Sequence, residues 1–219
     1  MLSFFNRYKD LGYKTRLFNL GDEVWDRRLA VRTFGFHPAV GIEGDQGWRL
    51  HYEPTPYSDI FRLLRRVRLS KEDVFTDIGS GMGRAVFAAS WMGARRSVGI
   101  EIVSNLCAKA IQNHRNSRLA GRDIEFVCAN ALDYHDWTST VLFMFHPFGK
   151  DTLKLVLDDI FCERQKTKLH ALRIVYLNPA YDGVLEEAGW LRCIGRVPAS
   201  QSWLPTASHR YSASLWSTG

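Results

Sequence analysis

The residues best placed to do chemistry stand in one short stretch, VFTDIGSGMGR at residues 74–84. An apolar, β-branched run ends at Asp77, breaks into the alternating glycines Gly79, Gly81 and Gly83, and continues into an apolar segment. This pattern predicts a buried strand, a tight turn and the first turns of a helix. Glycines let a ligand lie against the main chain, and a helix N-terminus presents N–H groups without helical partners. The stretch is therefore predicted to bind a ligand.

The residues around this turn indicate the kind of ligand. The dinucleotide-binding pattern is G-x-G-x-x-G, whereas the sixth position here is Arg84. The carboxylate of Asp77 is a poor neighbour for a pyrophosphate and suits an amino group. Glu101 lies at the end of the next predicted strand, where it can accept hydrogen bonds from both hydroxyls of a ribose. S-Adenosylmethionine has such an amino group, a ribose diol and an adenine, and it carries no phosphate.

These motifs also support a family resemblance. The turn at residues 77–83, with Gly99-Ile100-Glu101 after the next strand, resembles the cofactor motifs of class I S-adenosylmethionine-dependent methyltransferases. More narrowly, Tyr52-x-x-Thr55 ahead of the turn is similar to the Rossmann-type histone-lysine methyltransferases that lack a SET domain. Small prokaryotic relatives of those enzymes carry Y-x-P-T-P and Y-x-N-P segments, which residues 52–56 and 176–179 match. The resemblance covers roughly residues 50–180.

The resemblance implies roles for the residues near the methionine part of the cofactor. The backbones of Gly79 and Gly81 approach that part, and Asp77 helps to hold its amino group. Tyr52 and Thr55 fold over the cofactor from the N-terminal side. The resemblance thus implies that Asp77, the two glycines, Tyr52 and Thr55 together hold the methionine end of the cofactor.

The resemblance likewise implies roles at the nucleoside end of the cofactor. Glu101 takes the ribose hydroxyls. Asn130 stands where relatives usually carry Asp, and its amide oxygen can still accept a hydrogen bond from the adenine amino group. Ala131 offers its backbone N–H to the adenine.

His146 departs from the pattern of these relatives, which carry Asn before Pro-Phe at the end of the fourth strand. In amino-methylating enzymes of this kind the Asn-Pro-aromatic turn accepts hydrogen bonds from the target nitrogen. A neutral His146 can accept one such bond, or act as a general base near its ordinary pKa of about 6.5. The alternative is that His146 only shapes the turn.

Alternating strands and helices predict the fold that positions these residues. Strands are predicted at 74–78, 97–102, 124–128, 141–145 and 172–177, with helices at 84–92, 104–119 and around 153–160. Such alternation implies right-handed βαβ units in a mostly parallel sheet. Two further strands, at 190–194 and 211–216, predict an antiparallel pair at the sheet edge. The predicted fold is α/β, a Rossmann-like, doubly wound sheet of seven strands with a C-terminal antiparallel pair and an N-terminal extension.

Length and composition predict one catalytic domain. With 219 residues and 46% hydrophobic content the chain can bury a single core. We expect residues 1–51 to be an N-terminal extension that packs on the domain or covers its site, and residues 52–219 to form the methyltransferase domain. The start of the chain lacks the features of a signal peptide, and no apolar run approaches the ~20 residues that span a bilayer. These patterns predict a cytoplasmic protein without membrane association.

The net charge limits the kinds of partner that the sequence predicts. A net charge of +6 suits acidic partners, but the basic residues are scattered and fall on or beside predicted helices. Binding to nucleic acid is therefore an open alternative that no motif supports.

The four cysteines are far apart and form no C-x-x-C pair. We therefore expect Cys107 and Cys128 to be reduced and buried as small hydrophobes, with neither a metal site nor a disulfide framework.

Taken together, these patterns predict an S-adenosylmethionine-dependent methyltransferase acting on an oxygen or nitrogen nucleophile. A small-molecule acceptor is the first expectation, because no added domain or basic tail is present to hold a polymer; a protein lysine is the second. The oligomeric state is not fixed by any pattern. Two other classes stay open: a nicotinamide-dependent oxidoreductase, and a non-catalytic binding module of methyltransferase ancestry.

Overall fold

A computed structural model describes residues 13–34, 52–169, 171–199 and 211–219. The predictions for residues 1–12 and 35–51 lie outside these ranges. The helices and strands are as follows: α1 Tyr13–Leu29, α2 Tyr57–Arg66, β1 Val74–Ile78, α3 Arg84–Trp91, β2 Arg96–Ile100, α4 Ser104–Asn116, β3 Ile124–Val127, a 3₁₀ turn Ala131–Asp133, β4 Val141–Phe145, α5 Lys150–Thr167, β5 Arg173–Leu177, α6 Asp182–Glu187, β6 Leu191–Val197 and β7 Ala213–Thr218.

The seven strands form one sheet in the order β3-β2-β1-β4-β5-β7-β6. Strands β1 to β5 pair in parallel, and β7 pairs antiparallel with both β5 and β6. The order reverses between β1 and β4, where ligands bind in doubly wound sheets. This architecture confirms the predicted fold class, including the C-terminal antiparallel pair.

Side chains alternate between two apolar cores, one on each face of the sheet. Phe75 of β1 and Phe143 of β4 belong to the core that contains α2 and α3. Ile78 of β1 and Leu142 of β4 face the opposite core, which contains α5. Because parallel strands are buried on both faces, they read as continuous apolar runs, which explains why their bounds were predictable.

After β3, two elements were not predicted from the sequence. The 3₁₀ turn lies between β3 and β4, where no α-helix forms, and α6 precedes β6. Both are short, and the six residues of α6 give too few turns for a helical period to be recognised. The helix predicted at 104–119 ends earlier, at Asn116, because Ser117 takes an extended conformation.

The expectation of reduced Cys107 and Cys128 was wrong. A disulfide joins them across 21 residues of sequence, with their Cα atoms 5.7 Å apart. Cys107 lies on α4 and Cys128 follows β3, so the bond fastens the helix to the end of the strand beside it. The Cα separation is within the range that a disulfide needs, and it arises from the packing of α4 on β3, which spacing in the sequence does not encode.

The N-terminal helix α1 packs on the rest of the fold through polar and aromatic contacts. Asp22 accepts a hydrogen bond from the backbone N–H of Tyr57 at 2.9 Å, and Trp25 packs edge-on against Phe61. The domain boundary at residue 51 stays a prediction. Within the described ranges no helix is long and apolar enough to cross a membrane, and no group of acidic, histidine and cysteine side chains is arranged to hold a metal ion.

Candidate functional site

The predicted site residues gather at the carboxyl ends of β1, β2, β3 and β4. Asp77 is the next-to-last residue of β1, Glu101 follows β2, and Asn130 follows β3. His146 follows β4, on the other side of the point where the strand order reverses. Parallel strands end at the same edge of a sheet, so residues far apart in the chain share one cleft edge.

The glycine turn requires glycine at two positions for steric as well as conformational reasons. Gly81 has φ +55°, and a Cβ on it would lie 2.2 Å from Cε2 of Tyr52. Gly83 has φ +91°, and a Cβ there would lie 2.5 Å from Cζ of Phe126. Both values of φ are in the left-handed region, and both close approaches leave no room for a side chain. The turn is therefore built around two aromatic rings.

Three backbone N–H groups of the turn are satisfied within the strands and the turn. The N–H groups of Gly79 and Ser80 donate to the carbonyl of Ile100 at 2.9 and 3.0 Å, and that of Gly83 donates to the carbonyl of Ser80 at 2.8 Å. These bonds tie the turn to the end of β2. They leave none of the three groups oriented as a free donor for a ligand.

A fourth N–H group of the turn is bound by a side chain. Gly81 donates to Oε2 of Glu101 at 2.7 Å. A phosphate at a glycine turn is held by N–H groups without other partners. Four of the five N–H groups of residues 79–83 have partners, so this turn is better suited to a ligand that has no phosphate at this place.

Glu101 is oriented by backbone bonds to both of its carboxylate oxygens. Oε2 accepts from Gly81, and Oε1 accepts from the N–H of Val103 at 2.8 Å. Burial raises the pKa of Glu101, against the lowering effect of these backbone N–H groups. An ionised carboxylate accepts about four hydrogen bonds, so one lone pair on each oxygen is left for a ribose diol.

Asp77 is a buried carboxyl beside that of Glu101. Burial raises the pKa of Asp77 well above its ordinary value, and the negative charge of Glu101 raises it further. Two carboxylates without a cation nearby repel each other, and an ammonium group between them would relieve this repulsion. The pair is therefore electrostatically complementary to a cationic ligand.

We expect cofactor binding to release a proton from Asp77. Its raised pKa means that the carboxyl of the free protein holds its proton up to a higher pH than an ordinary aspartate does, and an α-ammonium group would lower that pKa on binding. Affinity should then rise with pH until Asp77 is ionised in the free protein. Calorimetry with S-adenosylhomocysteine in buffers of different ionisation enthalpy measures the release.

The Asp77→Asn variant is the matched control for this proton release. It keeps the size of the side chain but cannot ionise, so binding should be weaker and the proton release should disappear. Proton release of unchanged size in Asp77→Asn would assign the proton to another group.

The N-terminal side of the turn is covered by residues 52–56, which we call the cover segment. The ring of Tyr52 lies against Gly81, and its hydroxyl donates to the carbonyl of Thr33 at 2.8 Å. Burial raises the pKa of Tyr52, so the hydroxyl stays protonated. Thr55 is buried in the same segment. The structure brings both residues to the turn, and their contacts with a cofactor stay predictions.

At the adenine end, Asn130 caps the 3₁₀ turn. Its Oδ1 accepts from the N–H of Leu132 at 3.1 Å, which leaves a second lone pair on that oxygen for an amino group. Ala131 is buried at the start of the turn. The disulfide at Cys128 lies two residues before Asn130, so it restrains the position of this loop.

His146 lies in a cluster with two tyrosines. Its Nδ1 is 3.3 Å from the hydroxyl of Tyr176, and its ring centroid is 5.5 Å from that of Tyr181. Burial lowers the pKa of His146. Burial is also the largest cause that raises the pKa of Tyr176 to about 12. The imidazole is therefore neutral at neutral pH and the phenol is protonated. The contact with Tyr176 was not predicted from the sequence.

The backbone is strained at the ends of β4 and β5. His146 has φ +41° and Asn178 has φ +52°, and neither is a glycine. Left-handed conformations of non-glycine residues cost about 1 kcal/mol or more and concentrate at functional sites. Asn178 is the Asn of the Y-x-N-P segment, and its left-handed conformation is shared with His146 at the same edge of the sheet.

Comparison with known structures identifies the fold. An RNA methyltransferase from Salinibacter ruber, in complex with S-adenosyl-L-homocysteine, superposes with a TM-score of 0.52 at 21% identity, covering 76% of this chain and 94% of that one. Magnesium protoporphyrin IX methyltransferase from Synechocystis PCC 6803, with bound S-adenosylmethionine, superposes with a TM-score of 0.54 at 14% identity. This superposition covers 74% of this chain and 76% of that one. The chain therefore has the fold of these S-adenosylmethionine-dependent methyltransferases, as the resemblance in the sequence implies.

Sequence comparison gives a narrower relationship. The family described as histone methylation protein DOT1 matches residues 50–121, which include the cover segment, the glycine turn and Glu101. A protein-lysine N-methyltransferase from Saccharolobus islandicus is 30% identical over 95 residues. That match covers 43% of this chain and 58% of the relative, so the chain spans little more than half of the length of the protein it matches.

Proposed function

We propose that the chain binds S-adenosylmethionine and transfers its methyl group to an amine, a protein lysine being the favoured acceptor. The observation that carries the cofactor assignment is the geometry of Glu101, whose two oxygens are each fixed by one backbone N–H and each keep a lone pair for a ribose hydroxyl. The raised pKa of Asp77 supports the same assignment, because a cationic amino group would stabilise its carboxylate.

The residues present fit each part of this cofactor, which supplies an electrophilic methyl group on a sulfonium. Asp77 would hold the amino group, Glu101 the ribose, and Asn130 with Ala131 the adenine. With four of the five N–H groups of the turn already bound, a nicotinamide dinucleotide would find few donors for its pyrophosphate there. The oxidoreductase alternative is therefore disfavoured.

The lysine acceptor is supported by the sequence relationship. The segment that matches the histone methylation family includes Thr55 and Tyr52, and the ring of Tyr52 lies against the turn at Gly81. A lysine ammonium must lose a proton before its nitrogen attacks, and a neutral His146 can accept that proton or a hydrogen bond from the amine. The protein then contributes mainly by positioning the nitrogen in line with the methyl group.

A small-molecule acceptor is the second candidate, and the departure at His146 favours it. A histidine in place of the asparagine of amino-methylating relatives can serve as a base for a hydroxyl as well as for an amine. Such an acceptor is also compatible with the small, half-buried cluster around His146. Basic patches long enough to follow a nucleic acid backbone do not stand out along the sequence.

The experiment that tests the function is transfer of a radiolabelled methyl group. Binding is measured first, by comparing thermal stabilisation with S-adenosylhomocysteine and with NADH; only the former should raise the Tm. Transfer is then measured into intact proteins and into a small-molecule fraction from the same extract. Label in lysine supports the proposal, label only in small molecules supports the second candidate, and stabilisation by NADH alone would refute both.

His146→Ala is expected to lower kcat about 100-fold while leaving the Kd for S-adenosylhomocysteine within about twofold, because a positioned base acts in transfer and not in cofactor binding. In the unsubstituted protein kcat should fall as the pH drops below the pKa of His146, which burial sets lower than usual. His135→Ala is the control, since that histidine is exposed on the loop after the 3₁₀ turn. Equal losses of kcat and affinity in His146→Ala would indicate a structural role.

A further inference from the structure

Arg84 occupies the place in the turn where a basic residue could contact a phosphate, but its side chain binds other residues of the protein. It is the first residue of α3 and directly follows Gly83. Its side chain is 3% exposed, and its Nη1 donates to Oδ2 of Asp22 on α1 at 2.6 Å. The guanidinium therefore binds the N-terminal helix and does not extend into solvent above the turn.

The same guanidinium contacts two more segments. Nε donates to Oγ1 of Thr33 at 2.8 Å, and Nη1 donates to the carbonyl of Thr55 at 3.3 Å. Thr33 in turn accepts the hydroxyl of Tyr52 at its carbonyl. Arg84 thus connects α1, the residues that follow it and the cover segment to the first residue of α3.

Electrostatics makes this connection hard to replace. Burial lowers the pKa of Arg84, but Asp22 and further acidic groups outweigh this and raise it, so the guanidinium stays charged. Asp22 is buried too, and burial raises its pKa in spite of Arg84. Removing one member of such a pair leaves the other charge buried without a partner, which costs more than an exposed ion pair contributes.

Asp26 completes the attachment of the cover segment from α1. Its carboxylate accepts from the N–H and the hydroxyl of Thr33 at 2.8 and 2.6 Å, and from the hydroxyl of Tyr57 at 2.9 Å. The ring of Tyr57 lies 5.0 Å from the guanidinium carbon of Arg84. The residues that hold Tyr52 and Thr55 in place therefore converge on one buried cation.

We infer that Arg84 is a positioning residue that fastens Tyr52 and Thr55 over the glycine turn through its ion pair with Asp22. Cofactor affinity then depends on a helix that lies before the cover segment in the chain, although no residue of that helix is assigned to the cofactor. The inference rests on the proposed function for its effect on affinity. The attachment of the cover segment itself does not require a cofactor.

The affinity test uses Arg84→Lys, which keeps the charge but cannot reach Asp22, Thr33 and Thr55 at once. We expect the Kd for S-adenosylhomocysteine to rise about tenfold, because the three bonds of the planar guanidinium cannot all be made by an ammonium. Arg164→Lys is the matched control, since Arg164 is also buried but donates to the carbonyls of Ser139 and Ala171, away from the turn. It should lower the Tm without changing the Kd.

A double-mutant cycle separates positioning from general stability. If Arg84 acts through the cover segment, adding Arg84→Lys to Tyr52→Ala should raise the Kd only about twofold further, because residues of one network are not additive. If the Kd of the double variant rises by the product of the two single effects, Arg84 acts independently of Tyr52, and the inference is overturned. A lowered Tm with an unchanged Kd in Arg84→Lys would overturn it as well.

Amide hydrogen exchange tests the attachment without any cofactor. In Arg84→Lys the amides of Thr33 and Tyr57, which donate to Asp26 and Asp22, should exchange about tenfold faster, as locally opened segments do. Arg164→Lys should leave both rates unchanged. Unchanged rates in Arg84→Lys would refute the attachment. Failure of the unsubstituted protein to bind S-adenosylhomocysteine would refute only the proposed function.

Discussion

Glu101→Ala should raise the Kd for S-adenosylhomocysteine about 100-fold or more, with a much smaller effect on the Tm. The variant loses a charged acceptor for two ribose hydroxyls, and hydrogen bonds to charged groups contribute about 1.5–3 kcal/mol each. It also leaves the N–H of Gly81 without its partner, which loosens the turn. Calorimetric titration of the variant with S-adenosylhomocysteine measures the affinity, and thermal unfolding measures the stability.

Glu125→Ala is the matched control for this substitution. Glu125 lies on the neighbouring strand β3 and pairs with Arg96 at the surface, so its loss removes a glutamate charge without touching the turn. Its Kd should be that of the unsubstituted protein. If Glu101→Ala also bound normally, the assignment of the ribose site to the end of β2 would be wrong.

Gly81→Ala should raise the Kd for S-adenosylhomocysteine about tenfold or more. The added methyl group would overlap the ring of Tyr52, so either the ring or the turn must move. If Tyr52 is displaced, it loses its hydrogen bond to Thr33 and its packing on the turn, which together amount to about 1.5–2 kcal/mol and a loss of affinity of about 10- to 30-fold. Calorimetric titration measures the affinity, and thermal unfolding measures the stability.

Two comparisons isolate the clash in Gly81→Ala from the cost of a left-handed backbone. Gly93→Ala also places alanine at positive φ, but a Cβ there would meet nothing within 4 Å, so only stability should fall. In a Tyr52→Ala background the added methyl group has space, so Gly81→Ala should cause little further loss of affinity. A full loss in that background would mean that Gly81 approaches the ligand directly.

The alternation of strands and helices and the identity of the turn were predictable because both are local. The bounds of β1 and β4 match the predicted strands, since continuous apolar runs mark strands that are buried on both faces. Glu101 and Asn130 reach the same edge because each follows a parallel strand. These placements depend on nothing beyond the alternation of strands and helices.

The contacts that join distant segments were not predictable from one sequence. Asp22 and Arg84 are 62 residues apart, and each alone reads as an ordinary surface charge. The Tyr176–His146 contact and the disulfide likewise depend on how two elements pack. Local sequence patterns therefore predict the residues that face the ligand, but they do not predict the contacts that hold those residues in place.

The bond between Cys107 and Cys128 has a consequence for every measurement of thermal stability on this chain. It closes a loop of 21 residues, and in the chain-entropy description such a crosslink lowers the entropy of the unfolded chain by an amount that stabilises the fold by about 3 kcal/mol. A thiol reductant would take that stabilisation away while leaving the glycine turn untouched. Melting temperatures with and without a ligand are thus comparable only at one redox state of the medium.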